Sequence, residues 1–193
     1  MPSVDTFKKS LERFDVDQKV IAQISEGYED ITAKVPKKKR ALYFKHAVDI
    51  LTEQIENEPL QEIFEGNACC KSGAREKASK AFAKKNTGLS LDEKLDLLKE
   101  VPHMGRPVRN EDGTITVHAV YYSDGEKFLC ACPNYNGVKR DYGVSRNYCF
   151  CCAGHFKYHY EIMLGVKLKT LEVVSSPLDS AGKNPCIMKY AVL

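Results

Sequence analysis

The sequence predicts an α+β fold: N-terminal helices packed on a small antiparallel sheet made of two hairpins, with a helix between the hairpins. Three observations predict it. Apolar residues recur at helical spacing through the first hundred residues, strand-like patterning takes over after Pro102, and turn sequences divide the second half of the chain into hairpins. The same switch separates a helical half, residues 1–101, from a cysteine-rich half, residues 102–193, and the two are expected to form one compact domain.

In "SVDTFKKSLERF" the apolar stripe is Val4, Phe7, Leu11 and Phe14; in "DVDQKVIAQISEGYEDI" it is Val20, Ile24 and Ile31, behind Asp15 as the candidate cap. Pro36 suits the first turn of a third helix with an inner stripe of Phe44, Val48, Leu51 and Ile55, and Pro59 is expected to end it. Shorter helices are expected over residues 60–64 and 72–85. Ser90 with Glu93 forms a capping-box pattern that opens "LDEKLDLLKEV". Residues 114–135, "TITVHAVYYSDGEKFLCACPNY", read as the first hairpin with Asp124-Gly125 near its tip. From Gly154 the run "GHFKYHYEIML" is helical and stops at Gly165. The strands "VKLKTLEVV" and "CIMKYAVL" then make the second hairpin. The one loop long enough to suspect of mobility is "NYNGVKRDYGVSRN".

Hydrophobic residues at 43% and charged residues at 28% are globular values, which excludes wholesale disorder. The net charge of +3 is concentrated in "KVPKKKRALYFKH" and "AREKASKAFAKK", which read as solvated helix faces, so nucleic acid is not an expected partner. No run of about 18 apolar residues is present to span a bilayer, and "MPSVDTFKKSLERF" lacks the apolar core of a signal peptide, which places the protein in the cytoplasm. In a reducing compartment eight cysteines ask for an explanation other than disulfides. Their clustering points to ligands.

Cys130 and Cys132 stand two apart on a predicted strand, so their thiols share one face of the sheet. Cys149, Cys151 and Cys152 arrive at a helix entrance, where unpaired N–H groups favour thiolate over thiol. Cys149 and Cys151 share the alternate positions of an extended segment, with Cys152 on the other face. Cys130, Cys132, Cys149 and Cys151 are thus the expected metal ligands, holding zinc or, alternatively, an iron–sulfur cluster. His155 and His159 share a helix face at the outer spacing of a zinc-protease HExxH, but Phe156 follows His155 where that motif needs its glutamate. An aromatic helix lining a pocket is the plainer reading. The adjacent pair Cys69-Cys70 is open between packing, an activated thiol and the same metal.

The segment from Cys149 onward, with a helix ending in Gly165, Glu172 on a strand, Gly182 in the turn and Cys186 opening the last strand, resembles the closing segment of V4R (4-vinyl reductase, hydrocarbon-binding) domains. The pattern "CxCxAG", "LG" and "SxLxxxG" with a late Cys is also similar to a group of bacterial proteins labelled L-2-amino-thiazoline-4-carboxylic acid hydrolase-like. The V4R resemblance implies helices on a small antiparallel sheet, a pocket for a small apolar or aromatic ligand, and often a zinc beside it. Where the V4R metal pattern has a Cys three residues after the Glu, this chain has Ser175. Cys70, Cys152, His155, His159, Glu172 and Cys186 are the additional ligand or pocket candidates.

These residues together read as a ligand-binding or sensor-type protein with a cysteine-ligated structural metal and an apolar pocket lined by residues such as Phe44, Phe64 and Tyr158. A metal- or thiol-dependent hydrolase of a thiazoline-like compound and an iron–sulfur redox protein are the alternatives. No nucleophile, base and orienter stand at recognisable positions, so the reading leans away from an enzyme. A homodimer stays open.

Overall fold

A computed structural model describes residues 3–193, with residues 102, 120 and 121 excepted. The expectations placed on Pro102 and on Val120 and Tyr121 of the first hairpin lie outside the described residues. Six helices come first: α1 (Val4–Arg13), α2 (Gln18–Ser25), α3 (Lys37–Gln54), α4 (Asn57–Gly66), α5 (Gly73–Lys85) and α6 (Leu91–Leu98). Strands β1 (Arg106–Arg109), β2 (Ile115–His118), β3 (Tyr122–Asp124) and β4 (Lys127–Leu129) come next, then a short 3-10 turn (Arg146–Cys149), α7 (Phe150–Leu164), β5 (Leu168–Ser175) and β6 (Ile187–Val192). The class is α+β.

The helical stripes behave as amphipathic patterning requires. Val4, Phe7 and Leu11 of α1, Val20 and Ile24 of α2, and Phe44, Val48 and Leu51 of α3 are all buried. Their aromatic rings interlock: Phe7 lies 5.4 Å from Phe44 between centroids, and Phe44 and Phe64 reach Tyr148 at 5.8 and 6.0 Å. Each such side chain contributes about 1.5–3 kcal/mol by burial, so this cluster anchors whatever is attached to Tyr148. Two boundaries differ from expectation. Asp17, not Asp15, caps α2, its carboxylate accepting from the Lys19 amide at 2.7 Å, because Asp15 has a positive φ of 52° in the turn between helices. Pro59 does not end α3; the helix stops at Gln54, and Pro59 sits in the first turn of α4, where a missing N–H costs nothing. The Ser90–Glu93 capping box is present.

The main sheet is antiparallel with strand order β1-β2-β6-β5, so it is built from two hairpins, β1–β2 and β5–β6, with α7 between them in sequence. The first hairpin is displaced from the expected one. It spans 106–118 around the turn Asn110–Thr114, while residues 122–129 form a separate small hairpin, β3–β4, with Gly125 in its turn. Pro107 conceals β1 in the sequence. A proline is tolerated there because β1 is an edge strand. Ile115 opposite Tyr190 and Val117 opposite Met188 present one buried face, and Tyr190 Oη donates to the Ala153 carbonyl of α7 at 2.9 Å, tying sheet to helix.

The long loop after β4 is pinned at several points. Tyr135 Oη donates to the Ala41 carbonyl at 2.9 Å, Lys37 to the Asn136 carbonyl at 3.0 Å, and Arg140 to the carbonyls of Tyr142, Pro177 and Leu178. Lys37 and Arg40 thus serve the fold, the latter binding the Ala33 and Val35 carbonyls ahead of α3. Among the described residues no helix is long and apolar enough to cross a membrane.

The α4–α7 crossing brings backbone nearly into contact with backbone. A Cβ at Gly154 would stand 2.8 Å from Glu65 Cα and 2.9 Å from Glu65 O, backbone atoms that cannot rotate away. Gly154→Ala gains about 1 kcal/mol of helix propensity but forces the helices apart at a cost of about 1–3 kcal/mol or more. Net destabilisation in urea unfolding is the expected outcome. Gly88→Ala, with nothing within 4 Å of its Cβ position, is the control and should be neutral or mildly stabilising.

Candidate metal centre

A cavity of about 190 Å³ lies among the N-terminal end of α7, the α4–α5 loop, β4 with the segment after it, and the β5–β6 connection. All eight cysteines line it, and all are free thiols. Four sequence-distant segments supply them: Cys69 and Cys70 from the α4–α5 loop, Cys130 and Cys132 after β4, Cys149, Cys151 and Cys152 at the start of α7, and Cys186 just before β6. Phe128, Leu129, Pro177 and Leu178 make much of the remaining wall. Arg75 is the one side chain with a permanent charge among the described lining residues.

The α7 cysteines are not on an extended segment. Cys149 closes the 3-10 turn and Cys151 and Cys152 occupy the first turn of α7, so Cys149 and Cys152, three apart, share a helix face. The helix entrance does not make them thiolates. Burial raises the Cys149 pKa strongly, and the Cys152 hydrogen bond followed by burial raises that of Cys151.

Cys130 and Cys132 are likewise off the strand, since β4 ends at Leu129. The chain turns at Cys132, whose carbonyl accepts from the Tyr135 and Asn136 amides at 2.9 and 2.7 Å, and the Cys132 amide points at Cys130 Sγ at 3.4 Å. Burial raises the Cys132 pKa, but the neighbouring Cys130 thiol, Tyr148 Oη and the polar backbone of the turn at Asn134 and Tyr135 outweigh it and bring the thiol down to about 7. Cys130 moves the other way, raised first by its bond to Cys132 and then by burial. The proton of this pair therefore resides on Cys130.

Among the described residues, one group of three side chains offers ligand atoms that all lie within 4.8 Å of one another: Cys69, Cys70 and His155. Backbone conformation makes the adjacent cysteines converge. Neighbours in an extended chain point to opposite sides, but Cys70 is left-handed, with φ 63°, and Gly73 comes three residues later at φ 71°. His155 and His159 hold this loop by its backbone: His155 Nδ1 is 2.9 Å from the Cys69 carbonyl and His159 Nε2 is 2.9 Å from the Cys70 carbonyl. A carbonyl only accepts, so each of these nitrogens carries the proton. His159 Nδ1 lies 2.8 Å from Ser79 Oγ, whose hydroxyl also bonds the Arg75 carbonyl at 3.0 Å, so both imidazole nitrogens are engaged. His155 Nε2 keeps its lone pair, facing the Arg75 guanidinium at 3.3 Å.

Among the other candidates, Cys186 and Cys152 line the cavity, whereas Glu172 is exposed on β5. Phe44 and Phe64 belong to the helical core, and Tyr158 faces Glu76 on the outside at 3.2 Å; none of the three lines the cavity, which corrects the expected pocket lining. Sequence reading left out Arg75, Ser79, Asn134 and Tyr148.

His155 gives the site a pH dependence. Burial, with His159 and Arg75 as neighbours, lowers its pKa from 6.5 to about 4, so between those values the unfolded chain binds a proton that the folded one refuses. Stability is then full above about pH 6.5 and is lost as pH falls toward 4. The melting temperature should drop across that window, and His155→Gln, which retains a donor for the Cys69 carbonyl, should flatten the drop.

Functional assignment rests on this geometry, for no family model, curated protein or solved structure matches the chain.

Proposed function

We propose that this protein binds a soft metal ion, zinc by the character of its ligands, through Cys69, Cys70 and His155, beside a cavity that takes a small apolar or aromatic molecule. The carrying observation is the convergence of two thiols and one imidazole within 4.8 Å on the cavity wall. Tetrahedral zinc with bonds of about 2.0–2.3 Å needs its ligand atoms about 3.5–3.8 Å apart, so a small contraction of the loop suffices. The second hydrogen bond of the imidazole favours it too. A ligating imidazole commonly donates its other N–H to a carbonyl, and His155 gives Nδ1–H to Cys69 O. Arg75 moves off Nε2 when the ion binds, an inexpensive change for a side chain exposed at the surface.

Three protein ligands leave the fourth position to water or to the bound molecule, whose body the apolar wall accommodates. The resemblance of the C-terminal third to V4R domains supports a ligand in this place. In this reading Cys130, Cys132, Cys149 and Cys151 belong to the wall and are not ligands.

Metal analysis of the purified chain tests it. About one zinc per chain is expected, and cobalt substitution should give the intense near-ultraviolet charge transfer of thiolate ligation. Cys69→Ser and His155→Ala should each lose most of the metal, whereas Cys149→Ser should retain it. Loss of metal in Cys149→Ser with retention in Cys69→Ser would move the centre to the four thiols of the inner wall, and iron with acid-labile sulfide would make it an iron–sulfur protein.

A further inference from the structure

We propose that Cys132 and Cys130 form a reactive dithiol in the same cavity, which reduces small apolar disulfides by thiol–disulfide exchange, with Cys132 as the attacking sulfur and Cys130 as the resolving one. The inference goes beyond the metal site, from which it differs in residues, donors and chemistry.

The donors around Cys132 are arranged for a sulfur anion. Tyr148 Oη lies 3.4 Å from Sγ, and the Asn134 side-chain amide donates to Tyr148 Oη at 3.2 Å, so the tyrosine hydrogen is left for the sulfur. Cys130 Sγ stands beside it, 3.4 Å from the Cys132 amide nitrogen. Rigid parts hold these donors. The Tyr148 ring is wedged against Phe44, Phe64 and Tyr135, and Tyr135 is itself bonded to α3.

The ionisable groups around this sulfur are Cys130 and Tyr135 on its own segment, Tyr148, Cys149 and Cys151 from the start of α7, and Cys186 ahead of β6. None is a cation. Hydrogen bonds alone therefore localise the charge on Cys132, while burial keeps Cys149, Tyr148 and Cys186 protonated. Cys132 lines the cavity, so its sulfur meets whatever enters.

Cys130 decides the reaction class. A thiolate with a protonated thiol two residues away in the same turn, both on the cavity wall, is built for two successive displacements at sulfur. The Cys132 thiolate attacks one sulfur of R–S–S–R; a Cys132–S–S–R bond forms, the substrate S–S bond breaks, and R–S⁻ leaves. Cys130 then attacks Cys132 Sγ, the Cys130–Cys132 disulfide forms, and the second R–S⁻ leaves, taking up the Cys130 proton. One disulfide is reduced to two thiols, and one dithiol is oxidised. The aromatic and proline-rich wall favours an apolar R group.

The test uses the prereduced chain and diethyl disulfide at pH 7, with acid quench, alkylation and mass analysis of the tryptic peptide Phe128–Lys139. An internal disulfide in that peptide is expected, formed at a rate that rises with pH around a midpoint of about 7. Cys130→Ser should stop at the mixed disulfide on Cys132, and Cys132→Ser should leave this peptide reduced. Tyr148→Phe keeps the packing but removes one donor to the thiolate, and should slow the first step about five- to tenfold at pH 7. Oxidation that appears in another cysteine pair, or is unchanged in Cys132→Ser, overturns the proposal. So does loss of bound metal in Cys130→Ser and Cys132→Ser, which would make the pair ligands; loss confined to Cys69 and His155 variants leaves exchange and metal binding as separate properties.

Discussion

The backbone contact between α4 and α7 at Gly154 is the constraint on which the cavity depends. With no side chain at that position, α7 settles onto the Glu65 backbone, and the Lys157–Glu65 ion pair at 3.0 Å closes over the crossing. Everything that matters lies just beyond it in both helices. On α4, the next residues after the helix end are Asn67, buried and bonded to Ser10 Oγ at 2.6 Å, and then the Cys69-Cys70 loop. On α7, the turn before Gly154 carries Cys151 and Cys152, and the turns after it carry His155 and His159. Spreading the helices by the width of a methyl group would withdraw both imidazoles from the loop they hold.

The two histidines do structural chemistry of their own. An irregular loop that faces a cavity leaves carbonyls without strand or helix partners, and such groups must find donors. His155 and His159 supply one donor each, at residues 69 and 70. The left-handed conformation of Cys70 costs about 1–2 kcal/mol for a residue with a Cβ. Two partly buried hydrogen bonds, each contributing about 0.5–1.5 kcal/mol net, offset it. The result is a pre-bent loop with both sulfurs turned to the same side. His159, with both nitrogens committed, fixes the geometry; His155, with one lone pair remaining, is able to use it.

Local periodicity carried the helices, the capping box at Ser90 and the β5–β6 hairpin, because in those stretches the residues that pack are close in sequence. It failed where a tertiary neighbour decides. Pro107 disguises β1, an edge strand whose identity rests on pairing with β2. Cys130 and Cys132 looked like strand residues because "FLCACPNY" is β-rich, yet the pinning of Tyr135 to α3 turns the chain away from the sheet after Leu129. That the cysteines gather was legible from their clustering. That Cys69 and Cys70 meet His155 was not: His155 is 86 residues from Cys69, and only the α4–α7 crossing brings them together.

Electrostatics gives the proposed division of the eight sulfurs its physical basis. Two thiolates and one neutral imidazole around Zn²⁺ sum to zero charge, whereas four thiolates would leave a net charge of two units in a cavity whose walls are largely apolar. Uncompensated charge in such surroundings costs several kcal/mol at least. The cavity offers one guanidinium to meet it, Arg75, and that group stands beside His155 rather than beside the inner sulfurs. The inner sulfurs answer in kind: burial drives Cys149 and Cys186 toward the thiol, and hydrogen bonds concentrate what negative charge remains on Cys132. Under the two proposals, a neutral metal centre held by Cys69, Cys70 and His155 and one thiolate at Cys132 would satisfy the low dielectric together.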